Sequence, residues 1–304
     1  NDRSAMTLTA HGFTPTVIET TADKQIVGTR DGRVICKTYE DETLWEYRLE
    51  SEGALRDIVA DGGELLCVTA ETKEFFVLDE EGAFLGKVGL SYEPVAIAAD
   101  AEHAVIYTKL KTKNQMVVFS RSGNSTDLGS AKKSANDLPE FSNIEMTDSG
   151  MVFALGADAT PYRFDTENVS ASPEEIFTVT NEELIYMIAS GENYLAVTKD
   201  GKFVEYDGAG KVLSRVGGGE RFVSVSSDGG RIVALSNRND ISYFDGNRVY
   251  KVDTGIQVSK IMVAEQGVFL IDKSDNISAY DFSRIVANHT FKILLPVFGA
   301  LSAA

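Results

Sequence analysis

The chain has 304 residues, of which 43% are hydrophobic and 9% aromatic, enough to bury a substantial core and too many for a disordered segment. Its 46 acidic and 29 basic residues give a formal charge of −17. That balance argues against a nucleic-acid partner, which needs a basic surface for phosphate, and against docking on anionic lipid through a polybasic patch.

No apolar run reaches the roughly 18 residues of a spanning helix. The start at Asn1 rather than Met reads as a processed or trimmed product. Taken in chain order, the first element is the strand at 6–10. With its exit, as residues 6–12, it aligns with 249–255 further on, a fourth strand and its exit, yet no partner strands precede it. From residue 14 onward one unit repeats. An aromatic or apolar residue followed by an acidic or small polar one closes each third strand, at Tyr39-Glu40, Leu78-Asp79, Phe119-Ser120, Phe164-Asp165, Tyr206-Asp207, Phe244-Asp245 and Tyr280-Asp281. The spacing of about 40 residues matches the blade period of propellers. The second strands align in the same register as QIVGT, ELLCVT, AVIYT, MVFALG, NYLAVT, RIVALS and VFLID. These near-continuous apolar runs suit strands buried on both faces. Polar Gly/Asn/Asp links join them to the third strands, as in Arg30-Asp31-Gly32 and Arg238-Asn239-Asp240.

The pattern predicts an all-β chain, a seven-bladed β-propeller of four-stranded antiparallel blades. The blades fall at about 14–52, 53–91, 92–138, 139–180, 181–219, 220–256 and 257–290, clearest at 222–255. The strand at 6–10 is expected to complete the outer edge of blade seven and close the ring, with Ser283–Ala287 as the alternative fourth strand. With no linker dividing two halves, 1–290 reads as one domain. Residues 291–304, FKILLPVFGALSAA, form an apolar tail that either packs on the propeller or associates with a membrane or partner. The longest outer connections are Ser120–Asn136 in blade three and Thr166–Ser172 in blade four.

Stretches such as FVEYDGAGKVLSRVG, EFFVLDEEGAFLGKVG and LWEYRL resemble the PQQ-like and WD40-like (YVTN-type) β-propeller repeats over about 14–290. The chain departs from the enzymes and signature repeats among them. Neither a Trp-Asp strand end nor a Gly-His pair recurs, Trp45 is the single tryptophan, and Cys36 and Cys67 are far from the vicinal pair of quinoprotein dehydrogenases. The resemblance therefore implies a non-catalytic propeller that acts as a binding scaffold, with no bound cofactor.

The residues themselves agree. His11, His103 and His289 fall on a terminal strand, a turn and the tail, with nothing to suggest convergence. GxSxG, SxxK and Walker motifs are absent, and no DxDxDG calcium loop occurs, though calcium can also be held by oxygens from separated loops. Acidic clusters stand at Glu40-Asp41-Glu42, Asp79-Glu80-Glu81 and Glu174-Glu175, and the first two directly follow third strands and read as turn residues on the outer rim. Cys36 and Cys67 lie inside strands and read as two buried free thiols. No catalytic, cofactor or metal residue is nominated. Four sequons, at Asn124, Asn168, Asn276 and Asn288, are possible glycosylation sites and favour an extracytoplasmic or cell-surface setting. The functional expectation is a scaffold for a protein partner, or a glycan, with the blade-three and blade-four connections as its specialised surface. The alternative is a hydrolase or lyase with a metal-assisted site on the central axis. The scaffold reading would be wrong if the structure showed a deep central pocket with converging side chains of shifted pKa or a bound metal.

Overall fold

The computed structural model describes residues 6–8 and 13–286, apart from positions 52, 123, 124, 148, 149, 181, 229, 247, 265, 266 and 284. Its strands form seven antiparallel sheets, the blades of a propeller. Blade one comprises Pro15–Thr20, Lys24–Thr29, Arg33–Thr38 and Thr43–Arg48. Blade two runs from Leu55–Asp61 to Phe84–Gly89, blade five from Leu184–Ser190 to Val212–Gly217, and blade six from Phe222–Asp228 to Val249–Asp253. Blade four ends in a two-residue outer strand, so Glu174-Glu175 pairs with Arg163 and Tyr162 as part of the sheet.

The ring closes as the pattern predicts. Met6, Thr7 and Leu8 pair with Ala279, Ser278 and Ile277 on the third strand of blade seven. The alternative closing segment does not form a strand: residues 282, 283, 285 and 286 are helical. Ile285 is buried between blades six and seven, and the Phe282 ring lies 4.7 Å from that of Tyr243. Apolar contact with blade six draws this segment away from the sheet edge that Met6–Leu8 occupies.

Three local rules, repeated around the ring, explain why these residues form these elements. The first concerns the turn between second and third strands. Each of the seven contains one left-handed residue, namely Gly32, Lys73, Lys111, Ala159, Gly201, Asn239 and Asp275. In four blades the last residue of the second strand, Thr29, Thr69, Thr198 or Ser236, accepts the first N–H of the third through its hydroxyl, at 2.8–3.2 Å, and in blade seven the Asp272 carboxylate accepts the N–H of Asn276, just before the third strand, at 3.0 Å. The recurring Thr at the end of these apolar runs is therefore a turn cap, holding a conformation that non-glycine residues seldom adopt.

The second rule explains the acidic residue that marks the end of the third strand. Asp79 Oδ1 accepts the N–H groups of Glu81 and Ala83 at 3.1 and 2.7 Å, and Asp207 Oδ1 those of Ala209 and Lys211 at 3.0 and 2.9 Å. Asp165, Asp245 and Asp281 each accept one such N–H. The carboxylate replaces a backbone turn with a side-chain one.

The third rule was not legible in the pattern. Every first strand carries a bulge close to its start, at Pro15/Val17, Leu55/Asp57, Pro94/Ala96, Phe141/Asn143, Leu184/Tyr186, Phe222/Ser224 and Val258/Lys260. An extra residue raises the local twist and re-aims the side chains that follow. The first strands of adjoining blades pack against each other around the axis, so the bulge sets what faces the channel.

Each interface between blades holds its own apolar cluster. Between blades one and two, Ile26 and Val34 meet Leu65, Cys67 and Phe76, all nearly fully buried. Gly28 is required here, because a Cβ would stand 2.5 Å from Val17 Cγ1 and 2.8 Å from Leu55 Cβ. Cys36 and Cys67 are buried free thiols, and burial pushes the pKa of both upward.

Candidate functional site on the propeller axis

The first strands bring two rungs of side chains to the axis. Just past the bulge stand Val17, Asp57, Ala96, Asn143, Tyr186, Ser224 and Lys260. Two residues on, and so on the same strand face, stand Glu19, Val59, Ala98, Glu145, Ile188, Ser226 and Met262. Two cavities open along this line. One, of about 560 Å³, reaches the turns between first and second strands at Thr147, Ser190, Gly191 and Gly230. The other, of about 320 Å³, lies toward the start of the first strands, beside Arg56, Asp57, Ser224 and Lys260. Glu19, Val59, Tyr186 and Ser227 line both.

The polar members of the rungs tie one blade to the next. Asp57 Oδ2 accepts the N–H of Ile97 in blade three at 2.8 Å. Glu145 Oε2 accepts that of Ala189 in blade five at 3.0 Å, and Ser226 Oγ that of Val263 in blade seven at 2.9 Å. Glu19 accepts the N–H of Ala60 in blade two. Met262 Sδ receives the N–H of Ile18 at 3.1 Å, joining blade seven to blade one. Lys260 donates to the Thr16 carbonyl, Asn143 Nδ2 to the Met187 carbonyl at 2.8 Å, and the Tyr186 hydroxyl lies 2.9 Å from Ser227 Oγ. A first strand has a hydrogen-bonding neighbour on one side only, and these side chains satisfy N–H groups on its open edge.

Burial shifts the ionisable groups. The Glu19 carboxyl is pushed up to about 8 by burial and by the nearby carboxylates of Asp57 and Asp228. Asp57 is raised to about 6, again by burial, with the Ile97 and Ile58 N–H groups and Lys260 opposing the rise. Tyr186 is pushed to about 12 and Lys260 is lowered, both chiefly by burial. Near neutral pH Glu19 is thus a largely protonated acid in a polar, partly solvated channel.

This convergence was missed in the sequence. Its signal is a charge inside an otherwise apolar first strand, as in TVIET and LRDIV, but recognising it requires the bulge register. Among the described residues no group of three or more His, Cys, Asp or Glu side chains is placed to hold a metal ion.

The residues singled out in the sequence lie elsewhere. His103 opens the second strand of blade three rather than occupying a turn, and is buried. Its Nε2 is 3.3 Å from Glu167 Oε1, and its Nδ1 3.4 Å from Thr166 Oγ1. His11 and His289 fall outside the described residues, as do Asn124, Asn288 and the tail at 291–304. Asn168 is exposed in the outer connection of blade four, whereas the Asn276 amide donates to Asp272 Oδ2 at 3.0 Å. The blade-three connection is more ordered than a long loop. Its third strand runs on to Ser122, and Ser125–Thr126 and Lys132–Lys133 pair back onto it. It is anchored to blade two by Arg121, whose fully buried guanidinium meets Asp61 and Glu64, and by the Thr126 hydroxyl, 2.8 Å from Glu64 Oε2. Pairing of two-residue pieces is too short to register as alternation.

Seven blades of this topology around a polar axis define a β-propeller of the WD40-like and PQQ-like architecture. The solved structures it resembles include the β-propeller domain of Cps50 (Swd1) from Myceliophthora thermophila, with a TM-score of 0.68 and 11% identity over 90% of this chain and 98% of that one. They also include the Pan2 WD40 domain of Neurospora crassa, with a TM-score of 0.64 and 12% identity over 88% and 89%. BamB from Moraxella catarrhalis aligns with a TM-score of 0.59 and 15% identity over 88% and 94%. At these identities the likeness concerns the fold. No protein-family model and no curated protein matches the chain.

Proposed function

We propose that this propeller is a non-enzymatic scaffold that binds a protein partner, with a glycan as a further class of ligand, in an extracytoplasmic or cell-surface setting. The observation that carries this reading is the use made of the axial carboxylates. Asp57, Glu145 and Glu19 each accept a backbone N–H from the next blade, so these axial carboxyl groups hold the ring together. A rigid disc with connections at both ends presents broad surfaces for recognition. The exposed Asn168 sequon supports the extracytoplasmic setting. The test is affinity capture from native extract with cross-linking, followed by reconstitution of the purified pair. A partner that saturates with one-to-one stoichiometry supports the scaffold.

One observation favours a second reading, a hydrolase or lyase acting on the axis with metal assistance. Glu19, with its carboxyl pushed up to about 8, lines a cavity of about 560 Å³ beside Glu145 and Asp228. A carboxyl of that acidity can act as a general acid near neutral pH. Turnover of ester, phosphoester or uronide substrates with a panel of divalent metals, abolished by Glu19→Gln, would establish the enzyme and sink the scaffold.

A further inference from the structure

The two ends of the disc differ in charge. In an antiparallel blade the first-to-second and third-to-fourth connections emerge at one end, and the second-to-third turns and the links between blades at the other. At the first end every blade from one to six contributes carboxylates, and those of Glu40, Glu42, Glu80, Glu81, Glu102 and Glu192 are exposed. Among the described residues, the basic side chains in those connections are Lys211, Arg248 and, in the outer connection of blade three, the exposed Lys132 and Lys133, with Lys132 4.0 Å from Glu167. At the opposite end six of the seven second-to-third turns carry one basic residue each, from Arg30 in blade one to Lys273 in blade seven, but five carry a carboxylate (Asp31, Glu71, Asp158, Asp200 and Asp275) and the links between blades add others such as Glu50, Glu140 and Glu183, so the two signs are mixed there.

The larger cavity opens at the acidic end with Glu145 and Asp228 in its wall, whereas the smaller one lies toward the other end, where Arg56 and Lys260 stand with Glu19 and Asp57. The outer connections of blades three and four also emerge at the acidic end. Their exposed carboxylates include Asp127 and Glu167.

We infer that the acidic end is the docking face and that its occupant is a Lys/Arg-rich segment of a protein partner, lying across the channel mouth. This rests on the scaffold reading and gives it an orientation. Like charges on a low-dielectric concave surface add their fields, so a cationic segment is drawn to this end and an anionic one repelled. The partly balanced opposite end offers no comparable field.

The test uses the full chain and a fluorescent peptide of alternating Lys and Arg, with a Gly/Ser peptide as control, titrated by anisotropy at low and at physiological salt. One variant neutralises the acidic end: Glu40→Gln, Glu42→Gln, Glu80→Gln and Glu81→Gln. A second makes the same change in charge at the other end: Glu50→Gln, Asp137→Asn, Glu140→Gln and Glu183→Gln. Circular dichroism and thermal melts establish that both fold. The expected result is saturable, salt-sensitive binding that the first variant weakens about tenfold and the second by less than twofold. Equal weakening by both variants, or no saturable binding, overturns the inference. Running both variants in the partner capture separates the two readings. A partner held equally by wild type and acidic-end variant leaves the scaffold standing and removes this face, whereas no captured partner removes the scaffold while the peptide result still decides the face.

Discussion

Asp57, on the first strand of blade two, accepts the backbone N–H of Ile97, on the first strand of blade three, at 2.8 Å. The two residues are far apart in sequence and become neighbours only when the blades are arranged in a ring. Removing the acceptor leaves an unpaired N–H at the blade junction, at a cost of about 1–3 kcal/mol. Asp57→Ala should lower the denaturation midpoint accordingly. Asp57→Asn keeps a carbonyl acceptor and sheds the buried charge, so it should be nearly neutral. Urea unfolding of the two variants checks this, and equal losses would show that the Ile97 bond contributes nothing.

Stability should depend on pH through the axis. The folded Glu19 carboxyl lies near 8 and that of Asp57 near 6, each above its ordinary value of 4.5 or 3.8. Between those limits the folded state holds more protons than the unfolded one, so stability falls as pH rises, for Asp57 from about 4 to 6 and for Glu19 from about 4.5 to 8. The sign is opposite to that of a salt-bridged carboxylate. Thermal melts should show a higher midpoint at pH 5 than at pH 8. Glu19→Gln should flatten the upper part of the profile and stabilise the protein at pH 8 by on the order of 1–3 kcal/mol. A flat wild-type profile across this range contradicts the argument.

Arg121 is a buried charge held by two carboxylates of blade two. Its side chain is fully buried and meets Asp61, Glu64 and the Thr126 hydroxyl. Arg121→Met should cost about 3–5 kcal/mol, because Glu64, itself largely buried, loses its cation. Replacing Arg121 and Glu64 together by apolar residues should cost less than Arg121→Met alone. A double-mutant cycle measured by chemical denaturation gives the coupling, and additivity would count against the pair.

The closing strand makes a testable edge. Truncation to residue 13 removes Met6–Leu8 and leaves Ile277–Ala279 unpaired on its outer side. Exposed strand edges template association. The truncated chain should melt earlier and elute as higher-order species in size-exclusion chromatography, whereas the full chain does not. An unchanged melt and elution volume would show that the pairing adds no stability.

Much of the architecture lay in local chemistry. The Phe244-Asp245 and Tyr206-Asp207 pairs set the repeat because the aspartate is a turn acceptor wherever such a turn is built. Thr29, Thr69 and Thr198 end their strands for a similar reason. The orphan strand at Met6–Leu8 was legible as a fourth strand because its seven-residue pattern matched that of a complete blade. Ser283–Ala287 was ambiguous because four or five residues cannot distinguish a short strand from one helical turn.

What the sequence by itself determined is therefore the number of blades and their antiparallel order, since each follows from alternation and turn residues within about 40 positions, while the structure chose between the two candidate closing segments. The tertiary structure alone decided which charges meet. Glu19, Asp57, Glu145 and Lys260 come from four different blades, and it is the repeated bulge that turns them to the axis. The acidity of one end of the disc likewise emerges only when connections distant in sequence are sorted by the end at which they emerge. Hydrophobic periodicity is read along the chain, whereas burial and electrostatic fields are summed across it, and the candidate site of this propeller belongs to the second kind.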